Sequence, residues 1–256
     1  MIANYHTHTW RCKHAHGTEE EYVRCAIKKG LSILGFSDHA PHFFPDGYVS
    51  RIRMLPEQLQ DYADTIGGLQ QQYQDQIQIH LGLEMEFYPE LFEQMLPYYR
   101  DHGINYLVLA QHYLDNEVNA ANVARPASDR EEFVEKYCNQ LINAMQTGAY
   151  TYLAHPDVLN FVGQPEVYKT HMRRLCKEAK QVGMPLELNL SGFNWNRYYP
   201  SRRFWEIAAE EGCQVVLGVD AHFPEELLDE PSEKQAMQWI RELELPLLET
   251  LELKKF

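Results

Sequence analysis

Histidine and acidic side chains recur in this 256-residue sequence at the points where short apolar segments end. One residue separates His6 from His8, and one separates Asp220 from His222. Residues i and i+2 of an extended strand point to the same side, so each pair would present two ligand atoms together. Imidazole nitrogens and carboxylate oxygens suit divalent Zn, Mn or Fe, whereas Mg and Ca favour mostly oxygen. The spacing therefore predicts a site for a divalent Zn, Mn or Fe ion.

Similar side chains follow four further apolar segments. These side chains are Asp38 and His39, Glu84 and Glu86, His112, and His155. In barrel enzymes the carboxyl ends of the strands meet on one rim, so residues far apart in the sequence would converge there. Alternation along the third segment places Glu84 and Glu86 on the face opposite to Leu83. This convergence predicts a metal cluster. For Glu86 three roles stay open: a partner that contacts a metal ligand, a group that binds a substrate amine, or a surface acid.

Short β-rich segments alternate with amphipathic segments along the whole chain, which is typical of βα units around a parallel sheet. The predicted strands are residues 2–6, 31–38, 77–84, 106–111, 150–155, 185–189 and 214–219. The predicted helices are residues 18–29, 57–73, 89–102, 129–147, 166–182 and 201–211. We expect a single α/β domain over residues 1–256, with a helical tail from about residue 231.

Composition excludes several classes of partner. The net charge is −14, from 23 basic and 37 acidic residues. Such a field repels phosphate backbones and anionic lipids, so we expect neither a nucleic-acid partner nor a membrane partner. Five cysteines without a CxxC pair, and an N-terminus without the pattern of a secretory signal, predict a cytoplasmic location. The oligomeric state stays open.

Six motifs follow one another along the chain: His6-Thr7-His8, Phe36-Ser37-Asp38-His39, Gly82-Leu83-Glu84, Gln111-His112-Tyr113, Ala154-His155-Pro156 and Gly218-Val219-Asp220-Ala221-His222. Together they resemble the PHP superfamily (polymerase and histidinol phosphatase) over about residues 1–225. Their order and spacing are most similar to its histidinol-phosphate phosphatase branch. The resemblance implies a distorted (β/α)7 barrel, similar to a TIM barrel, with two to three divalent metal ions (Zn, Mn or Fe).

The resemblance also implies a set of ligands for each ion. The implied ligands of the first ion are His6, His8, Glu84 and Asp220. Those of the second ion are Glu84, His112 and His155, and those of the third ion are His14, His39 and His222. Glu84 would bridge the first two ions, while His16 is an alternative to His14 in the third. The predicted catalytic residues are Glu84, Asp220 and His222.

Two ions held close together lower the pKa of a shared water towards ~7 and neutralise a phosphoryl oxygen during in-line attack. A small phosphomonoester is the corresponding substrate, and L-histidinol phosphate is the one that the resemblance implies. A histidine, a carboxylate or the third metal could assist the leaving oxygen. Three alternatives stay open: another small phosphorylated substrate, a nuclease-like activity, and a non-catalytic metal-binding protein.

Phosphate recognition departs from the family pattern. The two positions at which members of the family typically carry basic residues hold Asn160 and Asn194. The predicted substrate contacts are Arg197, Arg51, Arg53 and His42. For His42, an exposed position in the long loop over residues 41–56 is the alternative.

Overall fold

Seven parallel strands, ordered as they occur in the chain, form the sheet of this computed structural model. The structure describes residues 1–256 apart from the side chain of Ala120. A bridge between Thr7 and Ala221 joins the segments that follow the first and last strands. The sheet is thereby a nearly closed barrel with helices outside it, which confirms the predicted distorted (β/α)7 barrel.

The observed elements follow the predicted pattern with one addition. The strands are β1 Ala3–Asn4, β2 Ile33–His39, β3 Gln78–Glu86, β4 Tyr106–Ala110, β5 Tyr152–Leu153, β6 Leu186–Asn189 and β7 Val215–Gly218. The helices are α1 Glu19–Lys29, α2 Leu59–Gln72, α3 Pro89–Asp101, α4 Glu131–Gln146, α5 Pro165–Gln181, α6 Leu190–Asn194, α7 Arg202–Glu211 and α8 Glu230–Glu242. Helix α6 is absent from the sequence prediction because a single turn has no apolar period, and the Asn189 side chain caps it by accepting from the Gly192 N–H at 3.0 Å.

Strand residues alternate between the barrel interior and the shell that contacts the helices. Leu81 and Leu83 of β3 belong to the large core between sheet and helices. A smaller inner cluster fills the barrel: Ala3, Tyr5, Tyr106, Val108, Ala110, Tyr152, Ala154 and Val216. The predicted metal ligands lie beyond this inner cluster, at the carboxyl ends of the strands.

Tyr106 lies across the barrel interior below the strand ends. Its hydroxyl donates to the carbonyl oxygen of Tyr5 at 2.7 Å. Two glycines leave the space for its ring, because a Cβ added at Gly35 would lie 2.2 Å from the Tyr106 hydroxyl and one added at Gly82 would lie 2.3 Å from the ring. The floor of the site therefore depends on these glycines.

We expect Gly82→Ala to lower the free energy of unfolding by about 1–3 kcal/mol, because the added methyl overlaps the Tyr106 ring. Gly67→Ala is the matched control, since a Cβ at this position of α2 meets no heavy atom of the other described elements within 4 Å. Alanine should even stabilise that helix, by roughly 1 kcal/mol. Urea unfolding measures both variants, and equal midpoints would show that the Tyr106 contact does not constrain the barrel.

The C-terminal tail closes the amino-terminal end of the barrel. Leu251 and Leu253 pack against the inner cluster. The Leu251 N–H donates to the Tyr5 hydroxyl at 3.1 Å, and the Lys254 N–H donates to Thr151 Oγ1 at 3.2 Å. Within the described residues, none of the helices has the length and apolar character needed to cross a membrane.

Candidate metal centre

The short strand β1 gives way to an irregular segment that carries His6 and His8. The Asn4 side chain shapes this segment, because its Nδ2 donates to the His6 carbonyl at 3.0 Å and to Thr7 Oγ1 at 2.8 Å. Its Oδ1 accepts from the Val219 N–H at 2.9 Å, which ties the first strand to the last. Both histidines are thereby directed into the mouth of the barrel.

Two predicted ligands have backbone conformations that non-glycine residues rarely adopt. His155 has a φ of 28° and Asp220 has a φ of 55°. Such strain persists where the surrounding structure imposes it, and it concentrates at functional sites. At both positions it turns a side chain at a strand end towards the barrel axis.

The structure brings all nine predicted metal ligands into one cluster. Groups of three whose ligand atoms lie within 4.8 Å of one another are His14, His39 and His222; His6, His155 and Asp220; His6, His8 and Glu84; and His39, Glu84 and His112. A fifth group consists of His8, Cys12 and His222. Several residues, among them His6, His39 and Glu84, belong to two groups, so the groups overlap and do not separate into the three implied sets. Glu84 lies at the centre, with Oε1 2.8 Å from His155 Nε2 and Oε2 2.7 Å from His39 Nδ1.

The spacing of these atoms fits a bound metal. Tetrahedral Zn²⁺ with bonds of about 2.0–2.1 Å places neighbouring ligand atoms about 3.3 Å apart. His6 Nε2 lies 3.2 Å from His8 Nε2 and 3.5 Å from both Glu84 Oε1 and Asp220 Oδ1. His8 Nε2 lies 3.1 Å from Asp220 Oδ1. The donor set and its spacing therefore match a divalent ion with nitrogen and oxygen ligands.

The surroundings of Glu84, Asp220 and His39 favour the forms of these three side chains that bind metals. Burial would raise the pKa of Glu84, but its contacts with His39, His112 and His155 hold it well below its ordinary value. Burial would likewise raise the pKa of Asp220, but His6 holds it well below its ordinary value. Burial lowers the pKa of His39 well below its ordinary value. Ionised carboxylates and a neutral imidazole are the forms that bind metals.

The third group lies nearest to solvent. His14 is exposed and His222 is half-buried, while His39 is buried below them. The His14 ring is 4.8 Å from the His222 ring and 5.4 Å from the His39 ring. His16 turns away and stacks on Phe223 at 4.9 Å. Of the two alternatives at this position, His14 is therefore the one that faces the cluster.

Arg53, a predicted phosphate contact, is buried beside the cluster. Its Nη1 pairs with Glu86 Oε2 at 2.7 Å, its Nε donates to Glu117 Oε2 at 2.7 Å, and its Nη2 also pairs with Glu117. The guanidinium is thus committed to two carboxylates. Glu86 is buried as well, with Oε1 3.0 Å from His112 Nδ1, so it is a partner of a predicted ligand and not a surface acid.

His42 is buried, which excludes the exposed loop position. Its ring lies 5.1 Å from the Tyr88 ring. The described residues offer no hydrogen-bond partner to either ring nitrogen of His42 or to the Tyr88 hydroxyl. Burial and then the charge of Arg53 lower the pKa of His42 to about 3, so the ring is neutral. A buried polar group of this kind leaves donors and acceptors available to a bound molecule.

Two arginines approach the mouth from the other side. Arg197 is exposed, and its Nη1 donates to the Tyr199 hydroxyl at 2.7 Å, while the Tyr199 ring lies 6.2 Å from the His155 ring. Arg125 was not predicted. Burial raises the pKa of Tyr199 to about 12, and the nearby charges of Arg197 and Arg125 oppose this rise. The carbonyl oxygen of Ala124, the residue before Arg125, accepts from the Asn160 N–H at 3.1 Å. Arg125 therefore lies beside Asn160, one of the two positions at which the family typically carries a basic residue. Arg51 is exposed in the long loop.

Two other side chains support the cluster. Asp38 Oδ1 lies 3.4 Å from His8 Nδ1 and Asp38 also accepts from the Thr9 hydroxyl, so it contacts a predicted ligand from behind. Glu187 contacts His6 in the same way and was missed in the sequence. The Cys12 thiol is buried and its Sγ accepts from the Ala15 N–H at 3.3 Å.

A family model of the PHP domain matches residues 4–191. The chain belongs to the PHP family. This PHP protein is 30% identical over 238 residues to a probable histidinol-phosphatase of Deinococcus radiodurans, with 88% of each chain covered. A probable histidinol-phosphatase of Schizosaccharomyces pombe is 26% identical over 252 residues, which cover 89% of this chain and 82% of the relative.

Solved structures show the same architecture. The histidinol phosphate phosphatase of Lactococcus lactis, complexed with zinc, L-histidinol and phosphate, superposes with a TM-score of 0.75 at 20% identity and covers 99% of both chains. A second solved structure, from Listeria monocytogenes, superposes with a TM-score of 0.73 at 19% identity over 91% of this chain and 99% of the neighbour. At these identities the likeness establishes the fold of the PHP protein.

Proposed function

We propose that this PHP protein is a metal-dependent phosphomonoesterase that hydrolyses L-histidinol phosphate to L-histidinol and phosphate. The observation that carries the proposal is the convergence of imidazole and carboxylate ligands around Glu84 at the mouth of the barrel. The curated relatives from Deinococcus radiodurans and Schizosaccharomyces pombe, both named probable histidinol-phosphatases, support the choice of substrate. The zinc, L-histidinol and phosphate bound to the Lactococcus lactis protein agree with it.

The ligand set fits two to three ions of Zn, Mn or Fe. Such ions, when bound, supply an activated hydroxide and neutralise charge on the phosphoryl group. Glu84 and Asp220 would supply carboxylate ligands to these ions, and His222, on the solvent side of the cluster, would assist the leaving oxygen. Arg197 and Arg125 would bind phosphate oxygens from the rim around Tyr199, with charge-assisted hydrogen bonds.

We assign the histidinol end of the substrate to the opposite side of the mouth. His42 and Tyr88 offer polar atoms that lack partners among the described residues, and an imidazole or amino group could supply those partners. Glu117 Oε1 also lacks a hydrogen-bond partner among the described residues, and its carboxylate could receive the substrate amine.

Five unpaired cysteines in the described chain support a cytoplasmic location.

We expect Arg197→Gln to raise KM for L-histidinol phosphate roughly 10- to 100-fold, because a charged hydrogen bond contributes about 1.5–3 kcal/mol. The change in kcat should be smaller, since a contact to phosphate binds substrate and transition state alike. Arg202→Gln is the control, because Arg202 is half-buried on α7 and pairs with Glu242 at 2.6 Å. Steady-state kinetics measure both, and an unchanged KM in Arg197→Gln would assign phosphate binding elsewhere.

The proposal is tested with purified protein loaded with Zn or Mn. We expect kcat/KM for L-histidinol phosphate to exceed the values for sugar, nucleotide and other amino-alcohol phosphates by roughly 100-fold or more, because a site with buried polar groups rejects substrates that leave them unpaired. Asn160 and Asn194 favour a second candidate, a phosphatase for another small ester, and a different best substrate in this panel would select it. Loaded protein that hydrolyses none of these esters would refute both.

A further inference from the structure

Glu187 on β6 is a fully buried carboxylate outside the groups of metal ligands. Its Oε1 lies 2.7 Å from His6 Nδ1. Its Oε2 accepts from the His155 backbone N–H at 3.0 Å and from Asn189 Nδ2 at 2.9 Å. One carboxylate thus contacts two predicted ligands from the side that faces away from the cluster.

The neighbouring strand leaves space for this carboxylate. Gly218 ends β7, and a Cβ added there would lie 1.8 Å from Glu187 Oε1. The overlap is with the carboxylate itself, so any other residue at position 218 would displace it. Glycine is therefore required here by the position of Glu187.

The contact with Glu187 determines how His6 presents its other nitrogen. A carboxylate accepts hydrogen bonds only, so Nδ1 of His6 must carry the proton that is donated to Glu187. Nε2 is then the nitrogen left for a metal, and it faces Glu84 and Asp220, each with an oxygen at 3.5 Å. Hydrogen bonds of this kind orient ligating histidines and strengthen their donation to the metal.

We infer that Glu187 is a positioning residue of the metal centre, which fixes His6 in the ligating tautomer and holds the backbone at His155. The inference rests on the proposed metal-dependent function. Glutamine has nearly the same size but only one acceptor oxygen, whereas three donors converge on Glu187. Glu187→Gln therefore leaves at least one donor unmatched and removes the charge behind His6.

The test is a zinc titration of the metal-free protein in competition with a chromogenic chelator. We expect Glu187→Gln to weaken zinc binding about 10- to 100-fold. Glu233→Gln is the matched control, because Glu233 pairs with Lys29 at 2.8 Å and with the N-terminal amine at the opposite end of the barrel. This control should change the melting temperature of the metal-free protein and leave zinc affinity unchanged.

Zinc affinity equal to that of the wild type in Glu187→Gln would overturn the inference, whatever happens to stability. If this variant does not fold, Glu187→Asp takes its place, and the shorter side chain should also weaken zinc binding, with wild-type affinity again counting against the inference. A wild-type protein that binds no zinc would instead refute the proposed function. The two failures are therefore distinguishable.

Discussion

Replacing Glu84 with glutamine should lower kcat/KM for L-histidinol phosphate about 10³-fold or more. Both oxygens of Glu84 lie among predicted ligands, with Oε1 2.8 Å from His155 and Oε2 2.7 Å from His39. An amide offers one neutral oxygen, which would be a much weaker ligand for a divalent ion than a carboxylate. Loss of metal-based stabilisation of a phosphoryl transition state costs several kcal/mol, and each 1.36 kcal/mol is a factor of ten in rate.

The control for this variant is Glu90→Gln, which changes an exposed carboxylate in the first turn of α3. It should keep wild-type kinetics. Circular dichroism should show both variants folded, since the apolar core between sheet and helices does not include Glu84. A folded Glu84→Gln protein with more than about a tenth of the wild-type kcat/KM would remove Glu84 from the centre of the mechanism.

Removing bound metal with a chelator should abolish hydrolysis and lower Tm by about 5–10 °C. A ligand present at 100 times its Kd stabilises a folded protein by about 2.7 kcal/mol. For a chain of this size, 1 kcal/mol corresponds to about 2–4 °C.

Adding back Zn or Mn should restore both activity and Tm, and Mg should restore neither, because the ligands are mainly imidazoles. Differential scanning calorimetry and the phosphate-release assay follow the two properties on one sample. Activity that survives complete removal of metal, as checked by elemental analysis, would contradict a metal-dependent reaction.

The barrel and the ligand cluster could be predicted from sequence because their signals are local. Parallel strands carry their chemistry at one end, and the spacing of His6 and His8 or of Asp220 and His222 directs two side chains the same way. Short apolar strands between amphipathic helices indicated the order of the elements. These patterns need no knowledge of distant contacts.

The surroundings of the cluster could not be predicted, because they depend on partners far apart in the chain. The sequence places Arg53 in a long loop, but Glu86 and Glu117, which lie 33 and 64 positions further on, enclose it. Arg125 becomes part of the rim only because its segment pairs with Asn160. No local pattern reports such pairings.

Glu187 did leave a signal in the sequence. It alternates with Asn189 in a strand whose other residues are buried leucines, so two polar side chains face the barrel interior. A buried carboxylate in that register must have a partner. The partner, His6, is 181 positions away, so the role of Glu187 becomes evident only in the folded chain.

The most direct test of the account is an anomalous difference map from a crystal grown with zinc, with data collected on both sides of the zinc absorption edge. We predict two or three peaks at the mouth of the barrel, neighbouring peaks about 3.5–4 Å apart, with the Glu84 carboxylate in contact with two of them. A map without a peak within bonding distance of Glu84, His8 and Asp220 would contradict the account.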